Sequence, residues 1–408
     1  MPPMTPRARK RLFNLLRVAI CVAALWIVVR GVTLRDHVSI RTTSGKQGEW
    51  VGLVVDESGP LRMLLASGEV REIPLDEIAV DKDGVPRIAY GLQSAWRKSN
   101  KSLLFLAVLI YFPVVFPLAQ RFRLLLRAQN IHLGYGECVR LTFAGNFLNY
   151  ATPLGSNAGD LFKAYFASLH TPHKTEAVTT VVLDRIIGLG TLLMVAAAIT
   201  AFSPADSRLA VLRPYMFTLL GVGGGGAAVY FSPIMKRISL PARWREKLPM
   251  LHHVQRVDQA VRCVASRGGI LLVSVMLTVL LQLLALSSYF VAAVALAMKA
   301  DAGNVLEYFA YFYTGAMVQS LPGPPQGLGT VELAYRFFFA PYGSASQIVC
   351  MAFAIRLAGL ICALPGLFVT LTGSYKPREI EAAIAEIEGS DSAVATHGDA
   401  SKRDPVMI

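Results

Sequence analysis

The sequence predicts an all-α polytopic membrane bundle with two inverted re-entrant broken-helix hairpins, plus a small extracytoplasmic β-rich insert. Three observations predict it: the composition, a series of charge-poor apolar runs, and two similar breaks within those runs. Of 408 residues, 54% are hydrophobic and only 16% charged, with a mean hydropathy of +0.47. Soluble domains run nearer a quarter charged. A soluble core cannot hide this much apolar surface, so lipid covers part of it.

An apolar run of about 20 residues crosses a bilayer as a helix. Gly269 to Met298 is the clearest case, thirty residues without a charge. Ser102 to Gln120, Ala177 to Ala201, Tyr215 to Phe231 and Ser346 to Thr372 are further spans. The first apolar segment, Leu12 to Val29, follows Arg7, Arg9, Lys10 and Arg11. With no small-x-small cleavage site before Arg30, it reads as an uncleaved signal anchor.

The formal net charge of +13 does not point to nucleic acid, which is not an expected partner. The positive residues sit in short loops beside apolar runs, and such loops stay cytoplasmic. The basic N-terminal tail, a loop with Arg121, Arg123 and Arg127, and the loop 232–268 are therefore placed inside. Residues 35–101 and the 202–213 loop fall outside, and the expected location is an inner, plasma-type membrane with both termini cytoplasmic. These placements agree only if 138–172 enters and leaves on one side.

Four regions result. Residues 1–34 form the basic tail and anchor, 35–101 the extracytoplasmic β domain, 102–373 the transmembrane domain, and 374–408 a polar, partly disordered cytoplasmic tail. In the insert, Val38, Ile40 and Thr42 alternate with Ser39 and Arg41. Further β-rich runs lie at Trp50–Val55 and Leu61–Leu65, with turn signals at Ser67-Gly68 and Asp83-Gly84. About five strands are expected, as a barrel or a sheet, serving as a spacer or as a surface for a protein partner.

The breaks carry the chemistry. The first runs from Asn149 through Pro153 and Gly159-Asp160 to Lys163, and the second from Ser320 through Pro322-Gly323, Gly327 and Gly329 to Glu332. When Gly159 is aligned with Gly329, Ala164-Tyr165 falls on Ala334-Tyr335. Arg185 follows the first glycine by 26 residues and Arg356 the second by 27. Each copy reads as a half-helix, a Pro/Gly break, a short amphipathic helix and a full span with a buried Arg. By the charge placement the first hairpin opens inward and the second outward. Inverted repeats of broken helices place a binding site near the midplane.

Such a site suits an anion. Irregular backbone inside a bilayer is tolerated where it faces protein or a water-filled cavity. Helix N-termini near Gly159 and Gly329 offer N–H groups and positive dipole ends to phosphate. Arg185, Arg356 and Lys163 are cations in apolar sequence, each costing at least about 2.5 kcal/mol unless satisfied. Arginine matches phosphate with a planar fork. Structural readings stand beside these: Asp160 and Thr330 as helix caps, and Arg185 paired with Glu332 or another internal acid. Asp184 cannot face its neighbour Arg185 and needs its own partner, with Lys163 a candidate. Gly221 to Gly226 reads as close helix packing of the Gly-x-x-x-Gly kind.

The ordered set Asn149, Pro153, Gly159-Asp160, Lys163 and Asp184-Arg185, followed by Pro322-Gly323, Gly327-Leu328-Gly329, Glu332, Arg356 and Pro365-Gly366, resembles the lysylphosphatidylglycerol synthase transmembrane region family, also described as flippase-like. The likeness covers roughly residues 100–373. It implies lipid translocation or handling of a lipid-linked substrate. The family commonly has Glu where Asp184 stands and glycine where Gln326 stands. With no aminoacyl-transferase domain after Gly373, lysyl transfer is not expected.

The sequence therefore predicts a translocator of an anionic or phosphate-bearing lipid. An enzyme or accessory factor acting on a polyprenyl-phosphate-linked or phospholipid substrate is the alternative, and a scaffold acting through the insert a third. No paired-carboxylate, Ser-His-Asp, zinc or Walker arrangement is found, so no cofactor and no metal are expected. The five cysteines (Cys21, Cys138, Cys263, Cys350, Cys362) form no C-x-x-C pair and read as packing residues.

Overall fold

A computed structural model describes residues 34–41, 47–56, 60–65, 67–74, 77–78, 88–152, 156–202, 209–232, 251–320 and 327–372. The anchor segment Leu12–Val29, the tail after Ser374, the Asp83-Gly84 turn, Pro153, Pro322, Gly323 and Gln326 lie outside the described residues.

The insert is an open antiparallel sheet rather than a barrel. Strands β1 (Asp36–Arg41), β2 (Gln47–Asp56), β3 (Leu61–Leu65), β4 (Val70–Ile73) and β5 (Ile88–Ala89) lie in the order β4-β3-β2-β1-β5. Pairing of Val38 with Trp50 sets the register, and Val38, Val54, Leu61, Met63 and Ile73 share one buried cluster. Gly68 turns β3 into β4 with φ +85°, a conformation glycine adopts without strain. Asp36 fastens the sheet to the helical bundle. Its buried carboxylate accepts hydrogen bonds from Val54 N (2.7 Å), Gly91 N (2.6 Å) and Ser94 Oγ (2.6 Å). Ser94 lies on α1 (Leu92–Lys98), which packs against the bundle.

Four helices among the described residues are long and apolar enough to cross a membrane: α2 (Lys101–Ala128, with a 3-10 turn at Phe112–Val114), α5 (Lys174–Phe202), α8 (Gly268–Ala295) and α11 (Ala345–Ala363). Asn100 opens α2, its side chain accepting from Ser102 N and Leu103 N at 3.0 and 3.2 Å. Ser344 and Gln347 cap α11 reciprocally. α8 packs against α2, α5 and α11. α6 (Leu209–Phe231) returns along α5, but its five glycines dilute its apolar character and it falls outside that set.

Several expectations are corrected. Arg121, Arg123 and Arg127 stand on α2 itself rather than in a loop, because the helix runs on to Ala128. The basic stretch 232–268 contains a helix, α7 (Leu251–Ser266). Its Ala260 and Val264 are buried, and Val264 packs against Leu125, Ala128 and Leu183. The run Ser346–Thr372 is two helices, since Pro365 starts α12 (Pro365–Thr372) after α11 has closed. Gly221 and Gly223 to Gly226 pack against no other described residue: a Cβ at any of them would meet nothing within 4 Å among the described residues.

The two breaks form two helical hairpins. The first is α3 (Tyr135–Ala151) against α4 (Ser156–Leu169), the second α9 (Val305–Ser320) against α10 (Thr330–Phe339). At 17 and 16 residues, α3 and α9 are about 25 Å long, short of the roughly 30 Å hydrocarbon core. They pack differently. Gly145 lets α3 and α4 touch backbone to backbone, whereas the second hairpin is sealed by Tyr308, Tyr311, Phe312, Tyr335 and Phe339.

Candidate functional site

The ends of α3 and α9 reach one cavity of about 400 Å³. Asn146, Asn149 and Tyr150 come from the end of α3, and Ala316, Gln319 and Ser320 from the end of α9. The middle turns of the long helices close it, through Tyr111 and Leu118 on α2, Leu189 on α5, and Leu281 and Tyr289 on α8. Arg185 and Arg356 line the same space, one from each half of the repeat. Asn149 and Gln319 each precede the aligned glycine by ten residues. An amide therefore reaches the cavity from the equivalent turn of each hairpin.

Each arginine meets a carboxylate at the start of its own hairpin's second helix. Arg185 Nη1 donates to Asp160 Oδ2 (2.5 Å) and to Asn157 Oδ1 (2.7 Å). Arg356 Nη1 pairs with Glu332 Oε1, and its Nη2 donates to Oε2 at 3.1 Å. Glu332 is 2% exposed, so an unpaired charge there would be costly. The pairing satisfies both partners, and the local charge sums to zero.

The N–H groups expected to face an anion are already engaged. Gly329, with φ +85°, donates its N–H to Glu332 Oε2 at 2.8 Å. Gly159 donates to Asn149 Oδ1 at 2.7 Å, and α4 begins three residues earlier, at Ser156. A Cβ on Gly159 would stand 2.7 Å from the Gly145 carbonyl carbon, so this glycine serves the helix contact. Gly327, with φ +63°, offers its carbonyl to Thr330 Oγ1 at 3.0 Å and to Arg356 at 3.5 Å. Thr330 closes the turn, and Glu332 is the cap.

Asp184 turns away from the cavity and does not pair with Lys163. Its carboxylate accepts from Arg121 Nε at 2.7 Å, and Arg121 Nη1 reaches Thr278 Oγ1 at 2.8 Å. This buried pair ties α2, α5 and α8 together. Lys163 is 5% exposed and sits one turn along α4 from Asp160, its Nζ 5.6 Å from the Phe122 ring centroid.

Of the expected site residues, Asn149, Arg185 and Arg356 are therefore brought together at the cavity. Asp160, Glu332, Gly327, Gly329 and Gly159 support them from behind. Sequence reasoning missed Asn146, Gln319 and the tyrosines Tyr111, Tyr150, Tyr289 and Tyr335. Gln319 carried a signal in its repeat position opposite Asn149, and Tyr335 in its alignment with Tyr165. Tyr150 also explains Gly359, since a Cβ there would overlap its hydroxyl.

Long apolar helices around a cavity that carries two arginines at their middle turns define an integral membrane protein with an internal site. The family model described as lysylphosphatidylglycerol synthase TM region matches residues 90–366, and the chain belongs to that family. No curated protein matches the chain significantly.

Proposed function

We propose that this protein moves an anionic, phosphate-bearing lipid across an inner, plasma-type membrane. The head group passes through the cavity while the tails stay in lipid. One observation carries the reading: Arg185 and Arg356, from the two halves of the repeat, line one space level with the middle turns of α2, α5 and α8. A guanidinium pair presents two forks to a phosphate, and Asn149 and Gln319 add donors beside them. Both α3 and α9 end at that level and the chain returns, which supports re-entry of the first hairpin from the cytoplasmic side and of the second from outside. Both termini are then cytoplasmic and the sheet extracytoplasmic. The lipid is the partner, and the sheet is a candidate surface for a protein.

The test is reconstitution of the purified protein in liposomes containing fluorescent phosphatidylglycerol, with dithionite added outside. Transport exposes inner-leaflet probe, so fluorescence falls below the level of protein-free vesicles. A fall no greater than in those vesicles, repeated with a fluorescent polyprenyl phosphate, defeats the proposal.

A further inference from the structure

Both arginines reach the cavity already paired with an acid, Arg185 through Nη1 to Asp160 and Asn157, and Arg356 through Nη1 and Nη2 to Glu332. Asp160 lies in the second turn of α4 and Glu332 in the first turn of α10, and each binds the arginine of the span that comes after its own hairpin. Glu332 holds a second hydrogen bond, whereas Asp160 pairs with Arg185 and, among the described residues, has only a cation one turn away. Glu332 also accepts the Gly329 N–H at 2.8 Å. Asp160 has Lys163 three residues on, on the same face of α4, and Lys163 is buried without entering the cavity. An arginine that left its carboxylate for another anion would thus leave that carboxylate with a donor at hand. The exchange swaps one charge-assisted pair for another and creates no bare buried charge.

We propose that Asp160 and Glu332 are exchangeable counter-anions: a lipid phosphate displaces them from Arg185 and Arg356, and their return expels it. This rests on the transport reading above and assigns the residues that regulate release at that site. A translocator that held phosphate on two free guanidinium groups would bind tightly and let go slowly. A competing carboxylate on each arginine weakens the bound state and so speeds release. In the inverted topology proposed above, the two acids, one per hairpin, stand on opposite sides of the membrane's midplane. Loading from one leaflet then displaces one acid while the other still holds its arginine.

Asp160→Asn and Glu332→Gln test this, because each amide keeps an acceptor oxygen and removes the competing charge. Binding of fluorescent phosphatidylglycerol to the purified protein is measured together with its scrambling rate in liposomes. Each neutral variant should bind the probe about tenfold more tightly, equivalent to about 1.4 kcal/mol, and turn over more slowly at saturating probe. Asn157→Ala keeps the test available where a neutral variant fails to fold. It removes the second acceptor from Arg185 at an exposed position and should tighten binding in the same direction. Unchanged affinity in folded variants, or weaker binding with loss of transport, overturns the exchange and leaves the acids as structural partners. If wild type binds and scrambles the probe while the variants match it, the exchange alone fails. A wild type that does neither takes down the transport reading and the exchange with it.

Discussion

Asp184 and Arg185 are sequence neighbours that serve different faces of α5. Asp184 turns to Arg121 on α2, with the two side chains 10% and 5% exposed, and Arg185 turns to the cavity. One residue holds the bundle and the next equips the site. Asp184→Ala leaves a buried guanidinium unpaired, and should cost about 3–5 kcal/mol. Thermal melting in detergent should show a large drop for Asp184→Ala and a small one for Arg185→Ala. Equal drops would mean that both residues are structural.

Gly329 adopts φ +85° with ψ −45°, outside the left-handed helical well that asparagine tolerates, so an L side chain there costs about 1–3 kcal/mol. Gly329→Ala and Gly329→Asn should both lower stability by that amount. Gly159→Leu should fail more severely, because its side chain meets the Gly145 backbone. Size-exclusion profiles of the three variants give the order directly. A monodisperse, stable Gly159→Leu protein would show that α3 and α4 do not cross there.

The glycines of α6 meet no other described residue, so replacing them should strengthen the helix. Gly224→Ala and Gly225→Ala should each stabilise by about 0.5–1 kcal/mol, measured by the same melts. Destabilisation would mean that this stripe packs against a second copy or a segment beyond the described residues.

Opposed hairpins require opposite sides for the sheet and α7. Cysteines at Ser67 and Ser266, both exposed, should label from opposite faces with an impermeant maleimide on a cysteine-free background. Labelling from one face would remove both the topology and the inversion of the hairpins.

Much of the fold was legible because long apolar runs announce themselves. The runs Ala177–Ala201 and Gly269–Met298 lie within a few residues of the ends of α5 and α8. Pro/Gly breaks and an arginine within an apolar run in each copy located the hairpins and the two cations that share the cavity. What escaped were features set by partners far away in sequence. Arg121 stands among other basic residues and reads as a loop, because only its contact with Asp184, 63 residues on, explains its burial. α7 was hidden by its charges, since Ala260 and Val264 make a narrow apolar stripe. The tyrosines of the cavity sit on four different helices and share no local pattern. Which N–H groups were occupied depended on the side chains of Asn149 and Glu332 folding back, which spacing does not reveal.

The central claim is that the two halves of the repeat build one anion site. Scrambling of fluorescent phosphatidylglycerol by Arg185→Lys, Arg356→Lys and the double variant tests it most directly. Lysine keeps the charge and loses the fork. Each single variant should slow transport about tenfold or more, and the double should be no slower than the worse single, as for residues acting as one unit. Wild-type rates in both single variants, or losses that multiply in the double, would contradict a shared site.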